Sequence, residues 1–236
     1  MNSFVGPFRL MIKEMSMTFY INATITFVLF IFFNLLGVFD VAKSGIFFLH
    51  GPLFIVFLLY PFINFKGYQY ILSFGGTRKQ FVFAFYLSSL IYGAISILLL
   101  NLFYYLSKII NANNTIEFFH LANIVNDSNL LMELWIDFTW LIFVFSLGII
   151  AKTIWFNYGT LFTLSLATFL IIAVTIVALF AEISKILDVI FDNYMLFIVI
   201  LFGLSFTFLL ISYLLMRNAP LEKGNRVLIR QSTRTT

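Results

Sequence analysis

Apolar residues run almost unbroken through six stretches of the chain, at 19–38, 45–65, 81–106, 134–151, 158–181 and 194–216. Polar residues gather between them. About 20 apolar residues in helical form cross a hydrocarbon core of about 30 Å. The runs are continuously apolar, whereas the strands of a membrane barrel alternate over about ten residues. The pattern therefore predicts an all-α polytopic membrane protein with six transmembrane helices. These make one transmembrane domain over 1–216, followed by a basic tail over 217–236. The first stretch starts late, is long and lacks a small-residue cleavage site, so it reads as a span and not as a cleavable signal.

The segments between the spans have patterns of their own. Over 4–17, Phe4, Phe8, Met11 and Met15 recur at helical spacing, while Arg9 and Lys13 lie on another face. Pro7 suits an early helical position. This predicts an amphipathic helix lying in the headgroup plane, with Phe8, Arg9, Met11, Lys13 and Met15 as its interfacial residues. After the second span, Lys66 to Phe74 reads as a short helix. Gly75 and Gly76 stop it, because glycine accepts the left-handed conformation of a helix end. Thr77-Arg78-Lys79-Gln80 has the capping pattern that starts a new helix. Tyr68, Tyr70, Ile71 and Leu72 are too apolar for a simple solvated loop. They suit either a membrane surface or a soluble partner. Residues 182–193 predict a short amphipathic helix, and 107–133 form the longest loop, with Asn111, Asn113 and Asn114 as helix breakers.

Composition agrees with the pattern. Hydrophobic residues are 62% and charged residues 10% of the 236, against roughly 45–50% and 25% in soluble domains. No room is left for a soluble catalytic domain. Charge then sets the orientation. With both termini in the cytoplasm, eleven basic residues fall inside: Arg9, Lys13, Lys66, Arg78, Lys79, Lys152, Arg217, Lys223, Arg226, Arg230 and Arg234. Only Lys43, Lys108 and Lys185 fall outside, together with eight of the ten acidic residues. The expected location is the cell membrane, multi-pass.

Candidate chemistry is sparse. Cysteine is absent, which removes disulfides and thiolate chemistry. Two histidines, His50 and His120, are too few for a multi-histidine metal site, so no metal or cofactor is expected in the chain. No G-x-x-x-x-G-K-[ST] loop occurs; Gly75-Gly76-Thr77 lacks its ending. The spans carry no mid-membrane acid or base of the kind that proton-coupled pumps bury, nor the buried His/Glu or Ser/His groups of an intramembrane protease. Asp137 and Lys152 read as snorkelling near the ends of the fourth span. Glu133 and Asp137 share a helix face, either as an outer-rim charge cluster or as an acid/base or cation site. The milder polar residues, such as Asn34, Ser88, Ser96 and Ser205, are expected in hydrogen bonds between packed helices. No catalytic residue is assigned, and nothing suggests nucleic-acid binding.

An amphipathic leading helix, six spans, a short helix between spans two and three and another between spans five and six form a set. That set resembles the ABC-2-type permeases, the membrane halves of ATP-binding-cassette exporters. The Ser73-Phe-Gly-Gly-Thr-Arg-Lys-Gln80 stretch looks like their cytoplasmic coupling region. The heavy use of Phe, Ile, Asn and Leu resembles low-GC Gram-positive bacteria. There, small permeases serve exporters of amphipathic cytolytic peptides, the phenol-soluble modulins among them, and bacteriocin-immunity systems. The resemblance implies a pair of permease subunits, identical or not, above two nucleotide-binding ATPase subunits, which hold ATP and Mg. It places the ATPase contact on Lys66, Tyr68, Tyr70, Ile71, Leu72, Gly75, Gly76, Thr77, Arg78, Lys79 and Gln80. A hydrophobic or amphipathic substrate, a peptide above all, would leave through the dimer seam. The alternatives are a substrate-binding membrane subunit of a vitamin importer and a non-transporting immunity or scaffold protein.

Overall fold

The computed structural model describes residues 4–39, 45–110, 116–125, 129–180 and 183–220. Lys43, Asn111, Asn113, Asn114 and the tail from 221 onward lie outside the described residues. The chain is almost wholly helical: α1 (Val5–Val38), α2 (His50–Asn64), α3 (Lys66–Ser73), α4 (Arg78–Ile110), α5 (Leu130–Phe180), α6 (Ile183–Asp192) and α7 (Tyr194–Arg217). Two three-residue strands, β1 (Gly45–Phe47) and β2 (Ile116–Phe118), pair in parallel, and a 3-10 turn covers Leu121–Ile124. Four helices (α1, α4, α5 and α7) are long and apolar enough to cross a membrane. The bent pair α2–α3 would make a fifth if it were counted as one span.

Contacts between side chains fix the helix directions. Ile12 and Met15 of α1 meet Tyr92 and Ser89 of α4, and Phe30 stacks on Phe103. So α1 and α4 run parallel. His50 lies beside Asp137 and Phe65 beside Phe156, so α2 runs parallel to the first part of α5. Asn101 meets Asp137 while Phe85 meets Phe145, so α4 opposes α5. Trp140 meets Tyr194 and Thr153 meets Ser212, so α7 runs parallel to the first part of α5.

That last pair carries a requirement. A helix of 51 residues would be about 76 Å long if straight. It is broken at Gly159, whose φ of 84° and ψ of 178° are non-helical, in a region closed to residues with a Cβ. Because α7 begins beside Trp140, residues 160–180 must return the chain from the Gly159 end. Their 21 residues rise about 32 Å, close to the rise of about 30 Å from Trp140 to Gly159 that they retrace. No side chain from 160 to 180 is buried.

Three sequence expectations are corrected here. The second span does not begin at 45, because Gly45–Phe47 is extended and paired with Ile116–Phe118; the helix starts at His50. The leading segment is not a separate interfacial helix. It continues into the first span with no glycine or proline between Pro7 and Gly37 to break it. Met11 and Met15 are fully buried, with Met11 close against Gly67 of α3 and Met15 near Ser89 of α4. Of the five residues expected at the interface, Arg9 and Lys13 are exposed and Phe8 is half-buried. Finally, most buried hydroxyls and amides do not bridge helices. Asn34, Ser88, Ser96 and Ser205 donate to the carbonyl four residues back, at 2.6–2.8 Å. Cross-helix bonds do occur, among them Thr153 with Ser212, Tyr86 with the Leu209 carbonyl, Tyr92 with the Ile12 carbonyl and Asn101 with Asp137.

Among the described glycines, the least room for a side chain is at Gly148. A Cβ there would lie 2.3 Å from the Leu58 carbonyl oxygen of α2. At Gly203 of α7 nothing lies within 4 Å. Gly148→Ala is therefore expected to destabilise the fold by roughly 1–3 kcal/mol through forced separation of α2 and α5. Gly203→Ala should be neutral or stabilising by up to about 1 kcal/mol. Thermal unfolding of the two variants in the same detergent checks the contrast.

Candidate functional site

Two regions of the bundle carry chemistry, one at each end. The first is the end that holds α3. Arg9, Lys13, Lys66, Lys79 and Arg217 are exposed there, and Arg78 and Lys152 are partly so. Lys152 lies 4.2 Å above the Trp155 ring, which accounts for a cation placed against apolar side chains. Locally the sequence dictates the shape. Gly75 takes φ of 80° and ends α3. The Thr77 N–H donates to Gln80 Oε1 at 2.7 Å and the Gln80 N–H to Thr77 Oγ1 at 3.2 Å, the reciprocal cap that starts α4. Gly76 has no room for a side chain, since a Cβ would lie 2.7 Å from the Ile71 carbonyl oxygen.

The predicted docking residues split into two faces. Tyr68 is 0% exposed. Its ring packs among Phe65, Phe81 and Phe156, and its hydroxyl donates to the Pro220 carbonyl at 3.1 Å. Ile71 is buried as well and Leu72 partly. Tyr68 and Ile71 are thus internal struts, and the expectation that they stand open to a partner is corrected. The open aromatic face consists of Tyr70, 50% exposed, and Phe74, 88% exposed. Phe74 was missed by sequence reasoning, which took it only as the helix end. A cleft of Leu72, Thr77, Arg78, Lys79 and Arg217 adjoins this face. Arg78 spans it, donating to the Arg217 carbonyl at 3.5 Å.

The second region lies at the opposite end and was not read from the sequence. Asp137 of α5 is fully buried. His50 Nε2, at the start of α2, is 3.3 Å from its Oδ1. His120 Nε2, just before the 3-10 turn, is 3.0 Å from its Oδ2. Asn101 of α4 donates to Oδ2 at 2.8 Å and to the Ile97 carbonyl at 3.0 Å. The two imidazoles stand edge to face at 5.3 Å. His120 is held further by Tyr104, whose ring is 4.7 Å away and whose hydroxyl donates to Asn123. Tyr105 donates to Glu133 one turn outward. Pairing of β1 with β2 brings the two histidine-bearing loops together.

This cluster corrects three readings. Asp137 does not snorkel to a membrane rim, because its carboxylate is enclosed by side chains from α2, α4 and the segment before the 3-10 turn. Buried histidine and carboxylate do occur together. Two histidines are enough to form a donor set once a carboxylate joins them: His50, His120 and Asp137 each offer a ligand atom, and these lie within 4.8 Å of one another. The sequence signal was faint but present. Both histidines fall on the side to which the charge pattern assigns Asp137.

Between these ends, a cavity of about 310 Å³ lies against α4, α5 and α7, with Phe57, Leu141, Phe145 and Phe206 among its walls. Its two hydroxyl groups are engaged elsewhere: Tyr86 with the Leu209 carbonyl and Ser89 with Met15. Only an apolar group suits it. Comparison with protein-family models, curated proteins and solved structures found no match to this chain.

The split of α3 into two faces gives a measurable contrast. Tyr68→Ala is expected to cost about 3–5 kcal/mol of stability by emptying a packed site. Tyr70→Ala should stay within about 0.5 kcal/mol of the parent. Detergent-solubilised melting curves of the two variants distinguish them.

Proposed function

We propose that this chain is the membrane-embedded subunit of an ATP-binding-cassette exporter of the ABC-2 type. It would span the cell membrane six times, by α1, α2, α4, the two halves of α5 divided at Gly159, and α7, with both termini cytoplasmic. The alternating helix directions support that count, since each chain reversal falls at one of two ends. The concentration of basic residues at the α3 end supports placing that end in the cytoplasm. One observation carries the functional reading. A short helix, bent by 41° from α2, is wedged between two long apolar helices at the basic end and holds Tyr70 and Phe74 outward. A membrane helix has no need of such a projection for its own packing. Two aromatic anchors beside exposed cations are the composition of a protein-docking surface.

On this reading the partner is a soluble ATPase, which supplies the energy source for which the chain carries no phosphate-binding loop. The rigid strut of Tyr68 and Ile71 passes its movement to α4 and to the end of α7. The apolar cavity at α4, α5 and α7 favours a hydrophobic or amphipathic substrate over ions and sugars. A second permease subunit completes the pathway.

Two measurements test the proposal. Tagged protein purified from its own cells in mild detergent is expected to bring down an ATPase with a phosphate-binding loop. The Tyr70→Ala, Phe74→Ala double variant should lose that partner, with association weakened by roughly 2 kcal/mol or more, while its membrane yield stays unchanged. Full ATPase recovery with the double variant would refute the docking face; an intact chain that never recovers an ATPase would favour a scaffold or immunity role. For orientation, a cysteine at Asn129 should react with an impermeant maleimide in intact cells. One at Ser73 should react only after lysis.

A further inference from the structure

The cluster at the end away from α3 contains more unpaired polar atoms than a hydrogen-bonded network leaves. His50 Nε2, His120 Nε2, Asp137 Oδ1 and Asn101 Oδ1 are buried and have no hydrogen-bond partner among the described residues. Yet both ring nitrogens lie 3.0–3.3 Å from a carboxylate oxygen. They stand at ion-pairing distance from it, and a ligand atom of each of the three residues lies within 4.8 Å of the others. In a native fold, buried orphans of this kind call for an explanation such as an ion.

We propose that His50, His120 and Asp137 bind a divalent transition-metal ion, of which Zn²⁺ is the type. The three ligand atoms lie within 4.8 Å of one another, and on loading they would draw in toward the edge of about 3.3 Å of a tetrahedral Zn²⁺ site. Two imidazoles and a carboxylate suit zinc and its neighbours, whereas Mg²⁺ and Ca²⁺ take oxygen ligands. Asn101 is the positioning residue. It donates to Asp137 and orients the carboxylate from outside the ligand shell, as such partners do.

One contact resists this assignment. The Ala122 N–H donates to His120 Nδ1 at 3.1 Å, which leaves the proton of a neutral ring on Nε2. Loading a metal on Nε2 moves that proton to Nδ1, so the Ala122 bond must open. The loss of one such bond is small beside the gain from metal ligation. The site thus couples metal binding to a shift of the 3-10 turn at 121–124. Its purpose is mechanical. It would clamp the start of α2, the loop before the turn and α5, three segments distant in sequence. The clamp is independent of the ATPase-docking reading, since the two lie at opposite ends of the bundle.

The experiment is metal titration of the purified full chain in detergent, after stripping with a chelator. Calorimetry with Zn²⁺ is expected to give one ion per chain. Co²⁺ should develop the visible absorption of a tetrahedral site, and Zn²⁺ should abolish it. His50→Ala and Asp137→Ala should each remove both signals, and Asn101→Ala should weaken binding by about 10–100-fold. Where those variants do not fold, the parent protein decides alone. Zn²⁺ must raise its melting temperature, and chelator must reverse the rise. A well-folded parent that binds no Zn²⁺ overturns the proposal and leaves the cluster as a polar tie. So does binding that persists unchanged in His50→Ala and Asp137→Ala, which would place the ion on other carboxylates.

Discussion

Hydrocarbon offers no partner to a polar group, and the rest of this fold depends on that constraint. The backbone meets it by forming helices, which bond every amide within the segment. Side chains meet it by turning back on the same helix. Ser88, Ser96 and Ser205 spend their donors on the preceding turn. The bundle is therefore assembled mainly by shape. Gly148 admits the Leu58 carbonyl, Gly67 admits the Met11 sulfur, and a chain of stacked rings from Phe30 to Phe118 fills one end. Against that background the Asp137 cluster is an exception in kind. It recruits partners from four elements, which marks it as the place where polar atoms and not shape bring the chain together.

Much of the architecture was legible because each feature had a local cause. Continuous apolar runs, the Thr77–Gln80 cap and the Gly75 stop are written within a few residues of where they act. The errors came where one local pattern has two physical readings. Phe4, Phe8, Met11 and Met15 make an apolar stripe whether it faces lipid headgroups or other helices, and periodicity does not tell these apart. The stripe faces protein because α3 folds under it. In α3 the aromatic content was read correctly and the faces were not. Tyr68 and Ile71 point inward and Tyr70 and Phe74 outward, a distinction set by the angle at which α3 leaves α2. The histidine cluster was hidden for another reason. Its members are joined by the pairing of two short loop strands, and neither strand has a pattern of its own.

The two ends of the bundle use opposite solutions to charge. At the α3 end, cations are spread over an exposed surface, where water and anionic lipid share the cost of each. At the other end a few ionisable groups are enclosed and set against one another. The first arrangement tolerates movement at its exposed cations, Arg9, Lys13, Lys66 and Lys79. The second does not, because separating Asp137 from its neighbours would leave each of them stranded. Motion originating beneath α3 would therefore meet a fixed point at the far end, and the long helices between would act as levers about it.

The turn at Gly159 has a consequence for how the chain is made. Beyond it lie twenty-one residues that bury no side chain against the rest of the protein. Such a helix gains little from the finished fold, so the fold cannot be what draws it into the bilayer. On the proposed six-span arrangement it would partition by its own hydrophobicity, before α7 exists to meet it, and the run of Leu, Phe, Ile and Val from 161 to 180 would act during synthesis and not as a piece of the completed core.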